Sequence, residues 1–155
     1  MRAGVGEGVE IGFGGDNSLV NHGTITSESG TAILANVGNE TIENHGRILG
    51  LTDLGSGNNV INSFGDTAAN SPVIVTGNRD DVVNNSSTIT GDVDLGGGNN
   101  EFNNLAGGIC NAGTAVSLGV GNSFINFGHI EPGGRRFDPD DGPLAPRAGG
   151  WLFGI

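Results

Sequence analysis

The sequence predicts an all-β fold, a single-stranded parallel β-helix (solenoid) of about six coils. Two observations predict it: a unit of about 21 residues occurs six times, and one position in that unit is apolar in every copy. Such a short unit cannot bury its own apolar side chains, whereas copies stacked about 4.8 Å apart merge them into one core. The composition agrees, because 31 glycines and 19 asparagines in 155 residues favour short strands and tight turns.

Each copy of the unit starts at a turn in which glycine is accompanied by asparagine or aspartate. The asparagines that mark these turns are Asn17, Asn39, Asn58, Asn78, Asn99 and Asn122, spaced 22, 19, 20, 21 and 23 residues apart. Apolar residues and a further asparagine follow, and the pattern Asn-x-Gly-x-Ile occurs at residues 21–25, 44–48 and 126–130. We expect the insertions that vary the spacing to lie in turns.

Alignment of the copies on one asparagine predicts which side chains face inward. The aligned residues, expected to stack as a ladder of side-chain amides, are Asn21, Asn44, Asn62, Asn85, Asn104 and Asn126. Two positions earlier every copy is apolar, which predicts an inward column of Leu19, Ile42, Val60, Val83, Phe102 and Phe124. A second inward column is predicted from Ile25, Ile48, Ile89 and Ile130.

The chain divides by composition into a β-helix repeat domain, residues 1–133, and a Pro/Gly-rich tail, residues 134–155. Four of the five prolines lie beyond residue 131, and the tail ends in an apolar segment that includes Trp151. We interpret residues 134–150 as a linker or a loosely docked tail, and we expect the apolar end to form a strand that covers the open end of the stack.

Charge and hydropathy exclude several classes of partner. The net charge of −11 argues against nucleic acid and against an anionic membrane surface, because both require clustered basic residues. No apolar run reaches the roughly 18 residues of a membrane span. Cys110 is the only cysteine, so an intrachain disulfide is impossible, and we expect a small buried residue in a turn.

The sequence predicts no metal or cofactor site. A calcium roll needs a carboxylate on each rung, but five of six copies carry asparagine there, and the period is not nine residues. His22 and His45 should stack in adjacent coils, yet a zinc site lacks a third ligand because the next coil is expected to offer Ser63.

No catalytic site is predicted either. A polysaccharide-cleaving site on a β-helix would need grouped acids with a basic partner. The candidate acids are Asp53, Asp80, Asp81, Asp92, Asp94 and Glu101. Asp53 and Asp94 share a repeat position but lie two coils, or about 10 Å, apart. The protein is therefore expected not to be an enzyme.

The units Gly-x-Gly-Asn-Asn-x-Phe/Ile-Asn and Asn-x-Gly-x-Ile resemble the repeats of bacterial autotransporter passenger domains across nearly all of residues 9–133. The resemblance implies a right-handed β-helix at the cell surface or outside the cell, with a structural or adhesive role and a surface ligand or glycan as partner. The family's export signal and outer-membrane barrel are absent from this sequence, so we expect a passenger piece or a divergent relative.

The sequence is compatible with two alternative functions. The first is a subunit of an extracellular fibre, because a β-helix has two open ends and the glycine-rich residues 4–14 offer no evident cap. Copies would then join end to end as a homo-oligomer or polymer. The second and less favoured alternative is an enzyme acting on polysaccharide.

Overall fold

The computed structural model describes residues 8–12 and 14–131, and it confirms the predicted parallel β-solenoid. The predicted tail, residues 134–155, lies outside the described residues. The described part contains sixteen short strands and no helix, and therefore no helix that is long and apolar enough to cross a membrane. Strands pair in parallel with their equivalents in the coils before and after.

The strands form two sheets that run the length of the stack. The six-stranded sheet takes one strand from each coil: β2 (Asn17–Asn21), β4 (Glu40–Asn44), β6 (Val60–Ser63), β9 (Val82–Asn85), β12 (Glu101–Asn104) and β15 (Ser123–Asn126). The ten-stranded sheet contains β1 (Val9–Glu10), β3 (Thr24–Leu34), β5 (Arg47–Asp53), β7 (Asp66–Ala68), β8 (Ile74–Val75), β10 (Thr88–Thr90), β11 (Val93–Asp94), β13 (Ile109–Asn111), β14 (Val116–Ser117) and β16 (His129–Ile130).

The chain turns out of the six-stranded sheet and returns through the ten-stranded sheet in each coil. In the first two coils one long strand, β3 or β5, makes the whole return, whereas later coils divide it into two short strands. Thus β5 pairs with β7 along its first half and with β8 along its second half. Both sheets face inward across a single apolar core.

One inward column of the six-stranded sheet is apolar in every coil. In register order it consists of Leu19, Ile42, Ile61, Val83, Phe102 and Phe124. Its four middle members are at most 2% exposed, while the two end members are partly buried. Phe102 and Phe124 stack with ring centroids 5.0 Å apart.

The predicted alignment is wrong by one residue in the third copy. Val60 and Asn62 point outward, and Ile61 and Ser63 take the inward positions beside Ile42 and Asn44. A one-residue shift moves every side chain of a strand to the opposite face. The inward register buries the larger Ile61 in place of Val60. The alignment relied on an asparagine and overlooked Phe64-Gly65, which matches His45-Gly46.

The second predicted column also has substitutions. It runs Ile25, Ile48, Thr67, Ile89, Cys110 and Ile130. Cys110 therefore lies in strand β13, and the expectation that it lies in a turn is wrong. It is fully buried, and burial raises the pKa of its thiol to about 11, so the thiol is not a nucleophile at neutral pH.

Candidate functional site

Inward polar side chains flank the apolar column of the six-stranded sheet on both sides. We name the column after it the trailing ladder, which consists of Asn21, Asn44, Ser63, Asn85, Asn104 and Asn126. We name the column before it the leading ladder, which consists of Asn17, Glu40, Asn59, Asp81, Asn100 and Asn122. Because burial without a partner is costly for a polar group, each ladder must satisfy its own hydrogen bonds.

The trailing ladder links coils through side-chain amides. Asn21 Nδ2 donates to Asn44 Oδ1 at 2.8 Å, and the same bond joins Asn85 to Asn104 at 2.9 Å and Asn104 to Asn126 at 2.8 Å. Most of these asparagines also accept a backbone N–H two residues later, as Gly46 N donates to Asn44 Oδ1. Each amide therefore holds its own turn and the neighbouring coil together.

The ladder changes partners at Ser63, whose side chain is too short to continue it. Asn44 Nδ2 instead donates to the backbone oxygen of Asp66 and to Thr67 Oγ1. Ser63 Oγ donates to Gly65 O within its own turn. Thr67 is the polar member of a column that is otherwise apolar, so Ser63 and Thr67 form one compensating pair in the third coil.

Removing a buried rung should cost far more than removing its half-buried neighbour on the outer face. Asn104 is fully buried, and Asn104→Ala removes one of the two acceptors of Asn85 Nδ2 and the side-chain donor to the backbone oxygen of His129. We expect the free energy of unfolding to fall by about 2–3 kcal/mol. Asn103→Ala, on the outer face, is the matched control and should cost under about 1 kcal/mol. Urea unfolding measures both, and equal losses would contradict the role of the ladder.

The leading ladder connects all six coils through a different bond. A backbone N–H in one coil donates to the side-chain oxygen in the next: Glu40 N to Asn59 Oδ1 at 3.0 Å, Asn59 N to Asp81 Oδ1 at 2.9 Å, and Asp81 N to Asn100 Oδ1 at 2.9 Å. Between the first two coils, Asn17 Nδ2 donates to Glu40 Oε1. Between the last two, Asn100 N donates to Asn122 Oδ1. The sequence alignment did not identify this ladder.

Two rungs of the leading ladder are buried carboxyl groups. Glu40 and Asp81 are 0% and 1% exposed, and one oxygen of each, Glu40 Oε2 and Asp81 Oδ2, has no hydrogen-bond partner among the described residues. Thr76 lies beside Asp81, but its hydroxyl makes no hydrogen bond of good geometry. Burial raises the pKa of both carboxyls against the lowering effect of their hydrogen bonds, so each keeps its proton to a higher pH.

Replacing such a carboxyl by its amide should stabilise the protein. Asp81→Asn keeps the accepting oxygen and matches Asn59 and Asn100 in the adjacent coils. We expect about 1 kcal/mol of added stability at neutral pH. Because the pKa of Asp81 is raised in the folded state, the original protein gains stability as the pH falls through that raised pKa. The gain ends when the pH reaches the ordinary pKa of an aspartate. The advantage of the amide should therefore shrink in acid.

Chemical unfolding of both proteins from pH 8 to pH 4 measures this difference. Asp80→Asn, at the exposed neighbouring position, keeps the oxygen that accepts from Asn99 N and is the matched control, with little expected effect on stability. A constant difference between Asp81→Asn and the original protein across that range would contradict the buried-proton interpretation.

Asp92, in the loop between β10 and β11, shows the opposite electrostatic behaviour. It accepts hydrogen bonds from Ala115 N at 2.9 Å and Thr114 Oγ1 at 2.8 Å, and also from Thr114 N and Ser71 Oγ. Burial acts to raise the pKa of Asp92, but these bonds outweigh it and lower the pKa to about 2. Asp92 thus joins the loops of three successive coils, and its contribution is lost only as pH falls towards 2.

The predicted histidine stack is present and includes a third ring. His22 and His45 stack with centroids 4.8 Å apart, and Phe64 continues the stack at 4.8 Å. The third coil therefore presents Phe64, and the expectation of Ser63 at this position is wrong. Among the described residues, no group of three His, Cys, Asp or Glu side chains is placed to hold a metal ion.

Asp80 and Asp81 are adjacent in the chain, and each of the six candidate acids accepts a hydrogen bond. Asp53 and Asp94 accept from the backbone N–H of Gly55 and Gly96, and Val75 separates them in the register. The remaining four acids also accept hydrogen bonds: Asp80 accepts from Asn99, Asp81 from Asn59, Asp92 from Thr114 and Glu101 from Asn103. In this structure these acids support turns and ladders.

A depression lies on the ten-stranded sheet across the first three coils. It encloses about 450 Å³, and its lining residues are Thr26, Ser27, Ser29, Gly30, Thr31, Leu49, Gly50, Leu51, Ala68, Ala69, Asn70, Ser71 and Pro72. The lining contains hydroxyl, amide and apolar groups and no charged residue. The groove exists because β3 has register shifts between Thr26 and Ile33, and because residues 69–73 loop out between β7 and β8.

No protein-family model matches the chain, and neither a curated protein nor a solved structure matches it. The fold assignment therefore rests on the stacked strands and their register.

Proposed function

We propose that this chain is a non-enzymatic structural module of the autotransporter-passenger kind, displayed at the cell surface or outside the cell, with a lateral groove for an adhesive contact. The observation that carries the proposal is the leading ladder, which links all six coils through hydrogen bonds. The inward side chains and the glycines at the close turns thereby hold the stack together, while the outward faces of the strands are free to vary.

Such a stack suits a spacer or display role because its length follows from the number of coils. Six coils at about 4.8 Å give a height of about 29 Å. The net charge of −11 keeps the lateral faces of separate molecules apart. Buried amides fix the register of each coil, so a substitution on an outer face has little effect on the fold.

The groove is the site that we propose for a surface ligand. Its hydroxyl and amide groups, including those of Ser29 and Asn70, suit a neutral glycan, and Leu49 and Leu51 add apolar contact area. The lack of charge in the lining disfavours an acidic polysaccharide.

Localisation can be tested directly in cells that produce the protein. Antibodies against the chain should label intact cells or the culture medium, and external protease should remove the signal. Labelling that requires permeabilised cells would contradict the display role.

Ligand binding is tested by applying the purified protein to immobilised neutral and acidic polysaccharides. We expect retention on a neutral glycan, and Ser29→Trp should abolish it by filling the groove. Thr41→Trp, on the outer face of the other sheet, is the matched control and should bind normally. Formation of new reducing ends from any polysaccharide would instead favour the enzymatic alternative.

A further inference from the structure

Among the described residues, the two ends of the stack differ by one strand. At the end that we call the head, β1 lies on the second half of β3, with Val9 beside Ile33 and Glu10 beside Leu34. At the opposite end, the foot, the described part of the sixth coil comprises β15 and β16, and β14 of the fifth coil is an end strand. Among the described residues, β1 is stacked on the outer side of β3 at the head, whereas no strand is stacked on the outer side of β14 at the foot.

The trailing ladder has a direction. In its three amide-to-amide links the Nδ2 donor lies on the head side and the Oδ1 acceptor on the foot side. At the foot, Asn126 Nδ2 has no partner among the described residues. At the head, Asn21 Oδ1 accepts only Gly23 N, whereas Asn44 Oδ1 accepts both a backbone N–H and an amide.

The leading ladder has the same direction. Each of its links places the donor towards the head and the acceptor towards the foot, as Asp81 N donates to Asn100 Oδ1. Within the described part of the chain, the backbone N–H of Asn122 is left unpaired at the foot and Asn17 Oδ1 is left unpaired at the head. The two ends therefore complement each other, and neither complements a copy of itself.

An outward column gives an independent indication. In register it runs Val20, Glu43, Asn62, Asn84, Asn103 and Ile125. Its middle is polar, and only its two ends are apolar, with Val20 49% and Ile125 40% exposed. The column that contains the stacked rings of His22, His45 and Phe64 begins with His22, which is exposed. It ends with Phe127, which is 73% exposed. Val20 and Ile125 thus place exposed apolar side chains at the same column position at the head and at the foot.

We propose that the foot of one molecule binds the head of a second copy, continuing both sheets in register. Asn126 then donates to Asn21 of the second copy, and Ile125 and Phe127 pack against its Val20 and His22. Strand β1 of the second copy lies beside β14 of the first. Such a joint is heterologous and leaves a free head and a free foot, so it builds a filament. This inference goes beyond the proposed display role and does not depend on it.

Charge predicts how association responds to salt. Each copy carries a net charge of −11, so copies repel one another at low ionic strength. Added salt screens that repulsion, and association through hydrogen bonds and apolar contacts should strengthen. An interface based on opposite charges would weaken instead.

Blocking one end at a time tests the direction of the joint. Asn126→Asp blocks the foot. The variant keeps the oxygen that accepts from Asn104 and Gly128. Its second oxygen replaces the donating amide group, so it would repel the side-chain oxygen of Asn21 in the next copy. Ser18→Pro blocks the head. Asn17 N donates to the second coil, so the N–H of Ser18 points the other way, towards an incoming copy. Proline removes that N–H from the edge of the sheet. Sedimentation velocity of the full chain at rising concentration measures association.

We expect the unmodified chain to form species of increasing length, each variant alone to remain monomeric, and an equimolar mixture of the two to stop at dimers. If Ser18→Pro does not fold, Val20→Asp with Ile125→Asp in one chain places carboxylates on both sides of the joint and should give monomers. A monomeric unmodified chain at all concentrations and salt levels, dimers of a single variant, or a mixture that stays monomeric would overturn the proposal.

Discussion

Ile61→Asp should unfold the protein, whereas Val60→Asp, one residue earlier, should leave it folded. Ile61 is 2% exposed in the apolar column between Ile42 and Val83, so the substitution buries a charge without a partner. We expect a loss of more than about 4 kcal/mol. Val60 faces outward beside Thr41 and Val82, and its replacement should cost about 1 kcal/mol through packing and strand propensity.

Far-ultraviolet circular dichroism during guanidinium unfolding measures both variants. The substitution is the same in adjacent residues, so charge and composition are matched and only the face differs. A folded Ile61→Asp protein together with an unfolded Val60→Asp protein would restore the register predicted from the sequence.

Gly57→Ala should be nearly as damaging, for a reason of backbone geometry. A Cβ at Gly57 would lie 1.6 Å from the backbone oxygen of Gly38 in the coil before, and its φ of +142° disfavours any L side chain. Relief requires two coils to separate at the turn that leads into β6. We expect a loss of more than about 3 kcal/mol.

Gly97→Ala is the control for this prediction. It lies in another glycine-rich turn, but its φ is ordinary and the nearest atom to an added Cβ is 3.6 Å away. Its cost in thermal unfolding should stay under about 1 kcal/mol. Similar melting temperatures for the two variants would show that the turns tolerate more separation than this structure allows.

The repeat made the fold predictable because a short unit with one apolar position has to stack in order to bury it. The outward residues Val60 and Asn62 show the limit of that reasoning. In the third copy the trailing rung is Ser63, so an alignment on asparagine chose the wrong face. The glycine after Phe64, which lies beside Gly46 of the preceding coil, was the better marker.

The leading ladder was harder to predict, because its rungs are chemically mixed. Asn59, Glu40 and Asp81 share a position only once the register is known, and a buried carboxyl resembles a surface acid in sequence. The groove was also unpredictable, since it depends on register shifts in β3 and on the loop of residues 69–73.

Native-state hydrogen exchange, resolved to peptides at a concentration where the chain is monomeric, tests the laddered stack most directly. The account predicts that β4, β6, β9 and β12 exchange slowest and as one cooperative unit, because coils cover them on both sides and ladders link them. The end strands β2 and β15 should exchange sooner. Inner strands that exchange as fast as the end strands, or coils that open independently of one another, would contradict it.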